Sequence, residues 1–349
     1  MSNTNTFTHG PLGQIFIKTA LPIIFVMSMN GLLTVVDAIF LGRYVGADAL
    51  GAVTLMFPIY MLIVALATLV SNGMSSILAR SLGACDLNSA RAVLAGAHGL
   101  ALAVAGLLIL GYVLLGHSVT LFLADGSAPM AQMGQTYLAI TCMAAPLAFV
   151  LAVNSDALRN EGRVGFMAAM SLLVSLSNIG FNYLLIAILD MGVAGSAYGT
   201  LCAQLLAFVI IITFRFSGRS VLHPNALWHH PLWARWGRIL ALGAPQSLNF
   251  IGIALGSTAI LLALQWVGSA NYETTISAYG IVTRVLTFVF LPLLGLTHAL
   301  QSIIGNNYGA QAWARSDTSL RMGLLVATLY CAASQIVLTY FAPSIGRMF

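Results

Sequence analysis

Asp37 is a carboxylate in an apolar setting. It lies inside a long hydrophobic stretch, while the other eight of the nine acidic residues fall in polar connections or at the margins of apolar runs. A charge at membrane depth costs about 2.5–3.5 kcal/mol on insertion scales, so it faces a bundle interior or a water-filled cavity. Asn30, Thr34 and Asp37 follow i, i+4, i+7 spacing and share one helix face. Asn178 and Asn182, then Thr200 and Gln204, repeat the i, i+4 spacing in two later apolar runs. Three such stripes can surround one ionisable group with a hydrated pocket. A carboxylate there is suited to carrying a proton, and with the Asn178 and Asn182 amides it offers the oxygens that sodium prefers. The same spacings also serve plain interhelical hydrogen bonds, and for Asn178, Asn182, Thr200 and Gln204 both readings stand.

Other chemistries find little support. No Gly-x-x-x-x-Gly-Lys-Ser/Thr phosphate loop occurs, nor a His-Glu-x-x-His zinc motif. Cys85, Cys142, Cys202 and Cys331 lack metal-ligand spacing and read as small packing residues. His98 and His298 have no partners at the spacing a hydrolase needs. Arg284, the one basic residue within an apolar run, reads as snorkelling or bonding to helix carbonyls, with anion binding as the other option. The sequence thus implies no enzyme activity, no cofactor and no metal centre.

The elements that must hold Asp37 are membrane helices. Hydrophobic residues make up 59% of the 349 residues and charged residues 7%, and the mean hydropathy is +0.94. A water-soluble surface needs far more charge. The apolar residues fall into runs near the ~20 needed to span a bilayer as a helix, which predicts an all-α integral membrane protein. Nine spans are expected, at Ile15–Leu41, Ala49–Ser71, Ala92–Gly116, Gln135–Asn154, Val164–Leu189, Val193–Phe214, Ile239–Val267, Ile276–Gln301 and Leu320–Phe341.

The net charge of +5 is placed as in a membrane protein and does not point to nucleic acid. Arg80, Arg91, Arg159, Arg163, Arg215, Arg219, Arg235, Arg238, Arg315 and Arg321 all fall in alternate connections. The opposite connections hold Asp48, Asp125, Asp190 and Glu273, with Arg43 their only base. The positive-inside rule puts the N-terminus and the arginine-rich connections in the cytoplasm and Phe349 outside. The N-terminal stretch has no basic segment ahead of a cleavage site, so no removable signal is expected.

Two halves are visible. Ser76-Ile77, Gly83-Ala84 and Ala52 recur as Ser302-Ile303, Gly309-Ala310 and Ala278, all at an offset of 226, and Pro22 recurs as Pro245. With matching topology this predicts a parallel repeat of six spans. The halves are an N-lobe over 1–214 and a C-lobe over 239–349, joined by a cytoplasmic, interfacial linker at 215–238. That linker carries His229-His230 and Trp228, Trp233 and Trp236, which read as membrane-interface anchors. The second half holds three spans, so the C-lobe is expected to be incomplete. Its polar residues Gln246, Asn249 and Gln301 are expected to line the cavity or to lack partners on the open face.

Several strings sharpen this. Asp37-Ala38-Ile39-Phe40-Leu41-Gly42 ends the first span, and Leu158-Arg159-Asn160-Glu161-Gly162 precedes the fifth. Asn178-Ile179-Gly180-Phe181-Asn182 and Met191-Gly192-Val193-Ala194-Gly195-Ser196-Ala197 follow. The second half has Ala278-Tyr279-Gly280-Ile281-Val282-Thr283-Arg284, Leu293-Leu294-Gly295-Leu296 and Leu300 through Ala310. In this order, from about Pro22 to Arg321, the chain resembles the multidrug and toxic compound extrusion (MATE) family.

The resemblance implies two six-helix lobes and cation-coupled export of small, cationic organic molecules by alternating access. Helices ten to twelve would then be missing here, supplied by a dimer or a second chain. Asp37 matches the family's coupling carboxylate in its first span. The fifth-span pair is often Asn then Asp in that family; here Asn178 is followed by Asn182. One branch has Glu at the position of Ile253, so Asp37 would carry the coupling alone. The expected partners are a small-molecule substrate and the lipid bilayer, the coupling ion is H+ with Na+ as the alternative, and the location is a bacterial-type plasma (inner) membrane. The rival readings are a lipid-linked saccharide flippase, which would need more cavity arginines and lysines than Arg284, and a truncated, non-transporting remnant or scaffold.

Overall fold

The computed structural model describes residues 5–124, 128–218, 220–267 and 272–348; Asp125 and Arg219 lie outside them, as do the side chains of Thr34, Glu273 and Arg284. Helix α1 (Leu12–Phe40) continues into a π-helical turn, Leu41–Val45, followed by α2 (Ala47–Leu55), α3 (Phe57–Gly83), α4 (Leu87–Leu123) and α5 (Ala128–Asn160). Next come α6 (Val164–Asn182) with its own π-helical turn Tyr183–Ile188, α7 (Gly192–Phe216), the short α8 (Ala226–His229), α9 (Trp236–Val267), α10 (Tyr272–Gly309) and α11 (Trp313–Met348). Among the described residues, nine helices are long and apolar enough to cross a membrane, in the order the sequence implied.

Their lengths differ from expectation in an instructive way. The second span, expected at Ala49–Ser71, is two helices broken at Met56, with Pro58 in the first turn of α3. Proline disfavours helix in the residue before it and fits a helix start. Helix α3 then runs three turns past Ser71, to Gly83. Ser71, Asn72 and Ser75 are buried there, and Asn72 and Ser75 pair with Gln301 of α10, Ser75 also with Arg159 and Asn160 of α5. The same correction applies to α10, which continues past Gln301 to Gly309.

Two arginines expected in solvated connections are also buried. Arg159 is 2% exposed and bonds Asp156 at 2.6 Å, inside the last turn of α5. Arg215 is 2% exposed and meets the buried side chain of Glu161 at 3.1 Å. Glu161 Oε2 also accepts from Ser220 Oγ at 2.6 Å and the Val221 N–H at 2.9 Å. Glu161, just past the end of α5, therefore ties α7 and the start of the linker to α5.

Contact between the halves is intimate. Helix α9 packs along α3, and α1 along α10. Gly73 lies against the Ile239 carbonyl and Gly243 against that of Leu69, so a Cβ at either glycine would collide with backbone. Small residues allow this approach where the hydrophobic effect between helices is weak. One apolar core joins α3, α4 and α5 with Leu222 and Ile239. A second joins Phe7 and α1 with Leu158, Ile211 and the α10 residues Leu296, Ala299 and Ile303.

Candidate functional site

Three of the polar stripes do converge. Helices α1 and α6 pack together, as do α6 and α7, which brings Asp37, Asn182, Asn178 and Thr200 into one hydrogen-bonded chain. Asn182, wholly buried, donates from Nδ2 to Asp37 Oδ1 at 2.6 Å. Asn178 is 1% exposed, and the orientation of its amide is set by its neighbours. Nδ2 donates to Asp37 Oδ1 at 3.0 Å, while Oδ1 accepts from Thr200 Oγ1 at 3.0 Å and the Thr200 N–H at 3.2 Å. Two amide donors on one carboxylate oxygen suit an ionised Asp37.

The backbone is shaped around this cluster. Each helix that brings an acid or amide to it changes pitch shortly afterwards: α1 becomes π-helical at Leu41, and α6 at Tyr183, directly after Asn182. The two π turns touch. Such turns are frequent at functional sites, because they leave carbonyls without regular partners. Gly199 completes the approach of α7, since a Cβ there would overlap Asn182 Oδ1. Among the described residues that buried oxygen has no hydrogen-bond partner, and an unpaired buried acceptor is costly.

The remaining sequence-expected residues are placed as follows. Asn30 is exposed on α1, one face with Asp37; Gln204 is half-buried one turn beyond Thr200; Gln246 is half-buried and Asn249 exposed on α9. Among the described residues, no hydrogen bond links Gln204, Gln246 or Asn249 to the Asp37 cluster. Gln301 is corrected: it neither joins that cluster nor lacks partners. Its Nε2 donates to Asn72 Oδ1 at 2.8 Å and Ser76 Oγ at 2.8 Å, and its Oε1 accepts from Arg159 at 3.1 Å and Ser75 at 3.0 Å. This second polar cluster sits at the arginine-rich end of the bundle, and it holds α3, α5 and α10 together. Sequence patterning missed it because its residues read as span ends. Sequence patterning also gave no signal for Tyr60 and Tyr137, which lie within electrostatic reach of the Asp37 carboxylate, because aromatic residues in apolar runs look like packing.

A helical membrane protein with a repeated plan and one acid held among amides on neighbouring helices is the class defined so far. A model of the MatE family matches residues 22–184 and 245–349, and the chain belongs to that family of multi-pass membrane transporters. It is 24% identical over 361 residues to the FAD transporter of Shewanella oneidensis, covering all of this chain and 77% of that protein. It is 22% identical to the multidrug export protein MepA of Staphylococcus aureus, covering 97% of this chain and 74% of that one. Among solved structures, an outward-facing multidrug resistance MATE transporter of the MOP superfamily superposes with a TM-score of 0.90 at 23% identity, covering 100% of this chain and 76% of that one. A MOP superfamily transporter from Pyrococcus furiosus gives 0.89 at 23% identity, with the same coverages. These structures share the fold.

Proposed function

We propose that the chain works as a cation-coupled antiporter that exports small organic, cationic molecules across a bacterial-type inner membrane. The observation that carries this is the Asp37–Asn182–Asn178–Thr200 chain, which joins three helices to one carboxylate. When Asp37 is ionised, the Asn178 and Asn182 amides donate to it, and Asn178 accepts from Thr200 on α7. A proton on Asp37 removes the charge that both amides face and weakens those bonds, so the ionisation state of α1 is felt on α6 and α7.

Export follows if protonation from the outside weakens the hold on cationic cargo and proton loss to the cytoplasm restores it. Sodium can replace the proton in this scheme, since the Asp37 carboxylate and the orphaned Asn182 Oδ1 are hard oxygen donors. The N-terminus and the arginine-rich end face the cytoplasm. The FAD transporter among its relatives favours a second cargo, a flavin dinucleotide, to be tested beside cations. The deciding experiment is efflux of a fluorescent cation, and of flavin adenine dinucleotide, from proteoliposomes with pH and sodium gradients imposed separately. Efflux driven by an inward proton gradient and abolished in Asp37→Asn supports the reading; gradient-independent leakage of either cargo sinks it.

A further inference from the structure

A cavity of about 330 Å³ opens at the arginine-rich end, between the end of α3, the start of α9 and the α10–α11 turn. Arg80 enters it from α3, and Arg235 and Arg238 from the end of the linker and the first turn of α9; Tyr308 and Trp313 of the C-lobe complete its wall. Among the described residues, none of these three guanidinium groups has a carboxylate within ion-pair distance. Arg80 rests on the Tyr308 ring, 5.6 Å from its centre. One acid, Asp86, stands on the rim, and it is engaged as the N-cap of α4, accepting the Ser89 N–H at 2.9 Å. Arg235 is held with φ 58°, a left-handed backbone that a non-glycine residue adopts at a cost.

The repeat shows what such a cavity is for. Ser75 and Gln301 are equivalent positions 226 apart. At that offset the cavity residues Arg80, Ser81 and Ser89 correspond to Asn306, Asn307 and Arg315. Those three grip the chain's own N-terminal segment. Asn307 Nδ2 donates to the Phe7 carbonyl at 3.1 Å, Arg315 donates to the Gly10 carbonyl at 3.0 Å, and Asn306 Oδ1 accepts from Asn5 at 2.7 Å. The second repeat thus fills its groove with the N-terminal segment, whose Phe7 and Gly10 carbonyls meet Asn307 and Arg315. The segment that would do so in the first repeat is the linker before α9, but it turns its carbonyls to α4 and reaches the cavity with the Arg235 and Arg238 side chains. Its Leu232 and Ala234 carbonyls press on Gly99 and Gly96 of α4, and Trp236 Nε1 donates to the Gly96 carbonyl at 2.9 Å. In the first groove Ser81 Oγ turns back to the Ile77 carbonyl at 3.1 Å, and among the described residues the Arg80, Arg235 and Arg238 guanidinium groups have no carboxylate partner.

Its depth identifies the acceptor. Arg80 and Tyr308 lie at the ends of the spans Phe57–Gly83 and Val285–Gly309, and Arg238 and Trp313 at the starts of Trp236–Gly256 and Trp313–Ala342. That is headgroup level. The linker tryptophans Trp228 and Trp233, 88% and 74% exposed, fit an interfacial position too. We infer that this cavity is a binding site for a phosphate-bearing anion, namely the phosphodiester headgroup of an anionic phospholipid or a free phosphate of the same chemistry. Basic pockets between helix ends hold such headgroups, and arginine forks suit phosphate oxygens. An anion there touches residues from both halves, so it binds best to the arrangement that keeps this end closed.

The test uses the purified, delipidated full chain. Phosphatidylglycerol, phosphatidylcholine and inorganic phosphate are added in turn, and bound lipid is counted by native mass spectrometry beside thermal unfolding. Wild type should retain one phosphatidylglycerol where phosphatidylcholine is lost, and the triple variant Arg80→Gln, Arg235→Gln, Arg238→Gln should bind it at least about tenfold more weakly. Displacement by millimolar phosphate, with a matching rise in unfolding temperature, assigns the site to phosphate itself; resistance to phosphate assigns it to the lipid. The single variant Arg238→Gln, at an exposed position, repeats the comparison if the triple variant misfolds. Equal retention of both lipids, or undiminished phosphatidylglycerol binding in the variants together with no response to phosphate, overturns the inference.

Discussion

Ser75 Oγ donates to Gln301 Oε1 at 3.0 Å, across 226 positions of sequence. That separation is the offset of the internal repeat, so each residue touches its own counterpart. Only positions on a pseudo-two-fold axis can do so. Gly305 and Ala79 meet at the same offset, where a Cβ on the glycine would come 2.5 Å from the alanine Cβ. Around them the contact is reciprocal: Gly83 lies against the Asn306 carbonyl, and Gly309 against that of Arg80. The halves of the molecule therefore join as an isologous interface does, although one chain supplies both sides. The symmetry is broken at Arg159, which reaches in from α5 and donates to Ser75 Oγ at 3.0 Å, Gln301 Oε1 at 3.1 Å and Ser302 Oγ at 3.2 Å.

Asp37→Asn keeps the shape of the side chain and removes the titratable proton. Gradient-driven efflux should fall to the level of empty vesicles, while expression and thermal unfolding stay near wild type. Asp37→Glu should keep part of the activity. Normal coupled efflux by Asp37→Asn would place the coupling site elsewhere.

Gly199→Ala tests the packing of the same site. The new methyl group overlaps Asn182 Oδ1, so Asn182 must swing away from Asp37 or α7 must retreat. Overpacking of this kind costs about 1–3 kcal/mol. Unfolding temperature should drop by a few degrees, and coupled efflux should fall more than stability does. Wild-type efflux would show that Asn182 is free to move without consequence.

The fold was legible in the sequence because lipid allows few structures: apolar runs of sufficient length had to be helices, and their order and number follow from them. Asp37, Asn178, Asn182 and Thr200 were legible for the same reason, as polar residues at helical spacing inside such runs. The arginine-rich end was harder to read. Arg159, Asp156, Arg215 and Glu161 stand at span margins, where charge is normally solvated, and nothing local distinguishes a buried pair from an exposed one. Gln301 was misplaced on similar grounds. Its partners Asn72, Ser75 and Ser76 are about 225 positions away, and only the repeat offset hinted at the meeting. Burial between two halves is a tertiary fact, and hydropathy reports depth without saying which neighbour is there.

Orientation can be checked directly. With Cys85 and Cys331, the exposed native cysteines, replaced by serine, a cysteine at Asn225 in the linker should react with impermeant maleimide only in permeabilised cells. One at Asp48, in the connection after the first span, should react in intact cells. Both positions are exposed. Labelling of the Asn225 site from outside would invert the topology and with it the direction of transport.

The last prediction concerns the closed end. Arg159 is buried, and one guanidinium binds Asp156 on its own helix, Ser75 on α3, and Gln301 and Ser302 on α10. Arg159→Ala strands Asp156 without its partner, and breaking a buried pair costs about 3–5 kcal/mol, so that variant should express poorly. Arg159→Lys is more informative. It keeps the charge opposite Asp156, but a single ammonium cannot reproduce the planar fork that reaches three further oxygens. The chain should fold with a modest loss of stability, while α3 and α10 part more often at this end. Gly305→Val should act in the same direction by a separate route, because its side chain drives into Ala79 on the axis. In both backgrounds a cysteine at Ser302, fully buried in the wild type, should gain reactivity toward a thiol reagent applied from the arginine-rich side. Two unrelated substitutions giving the same rise would identify this contact as the element that opens in the proposed transport cycle. Unchanged protection of the Ser302 site in both would mean that the end opens along another seam, leaving the Ser75–Gln301 contact as a fixed joint between the halves.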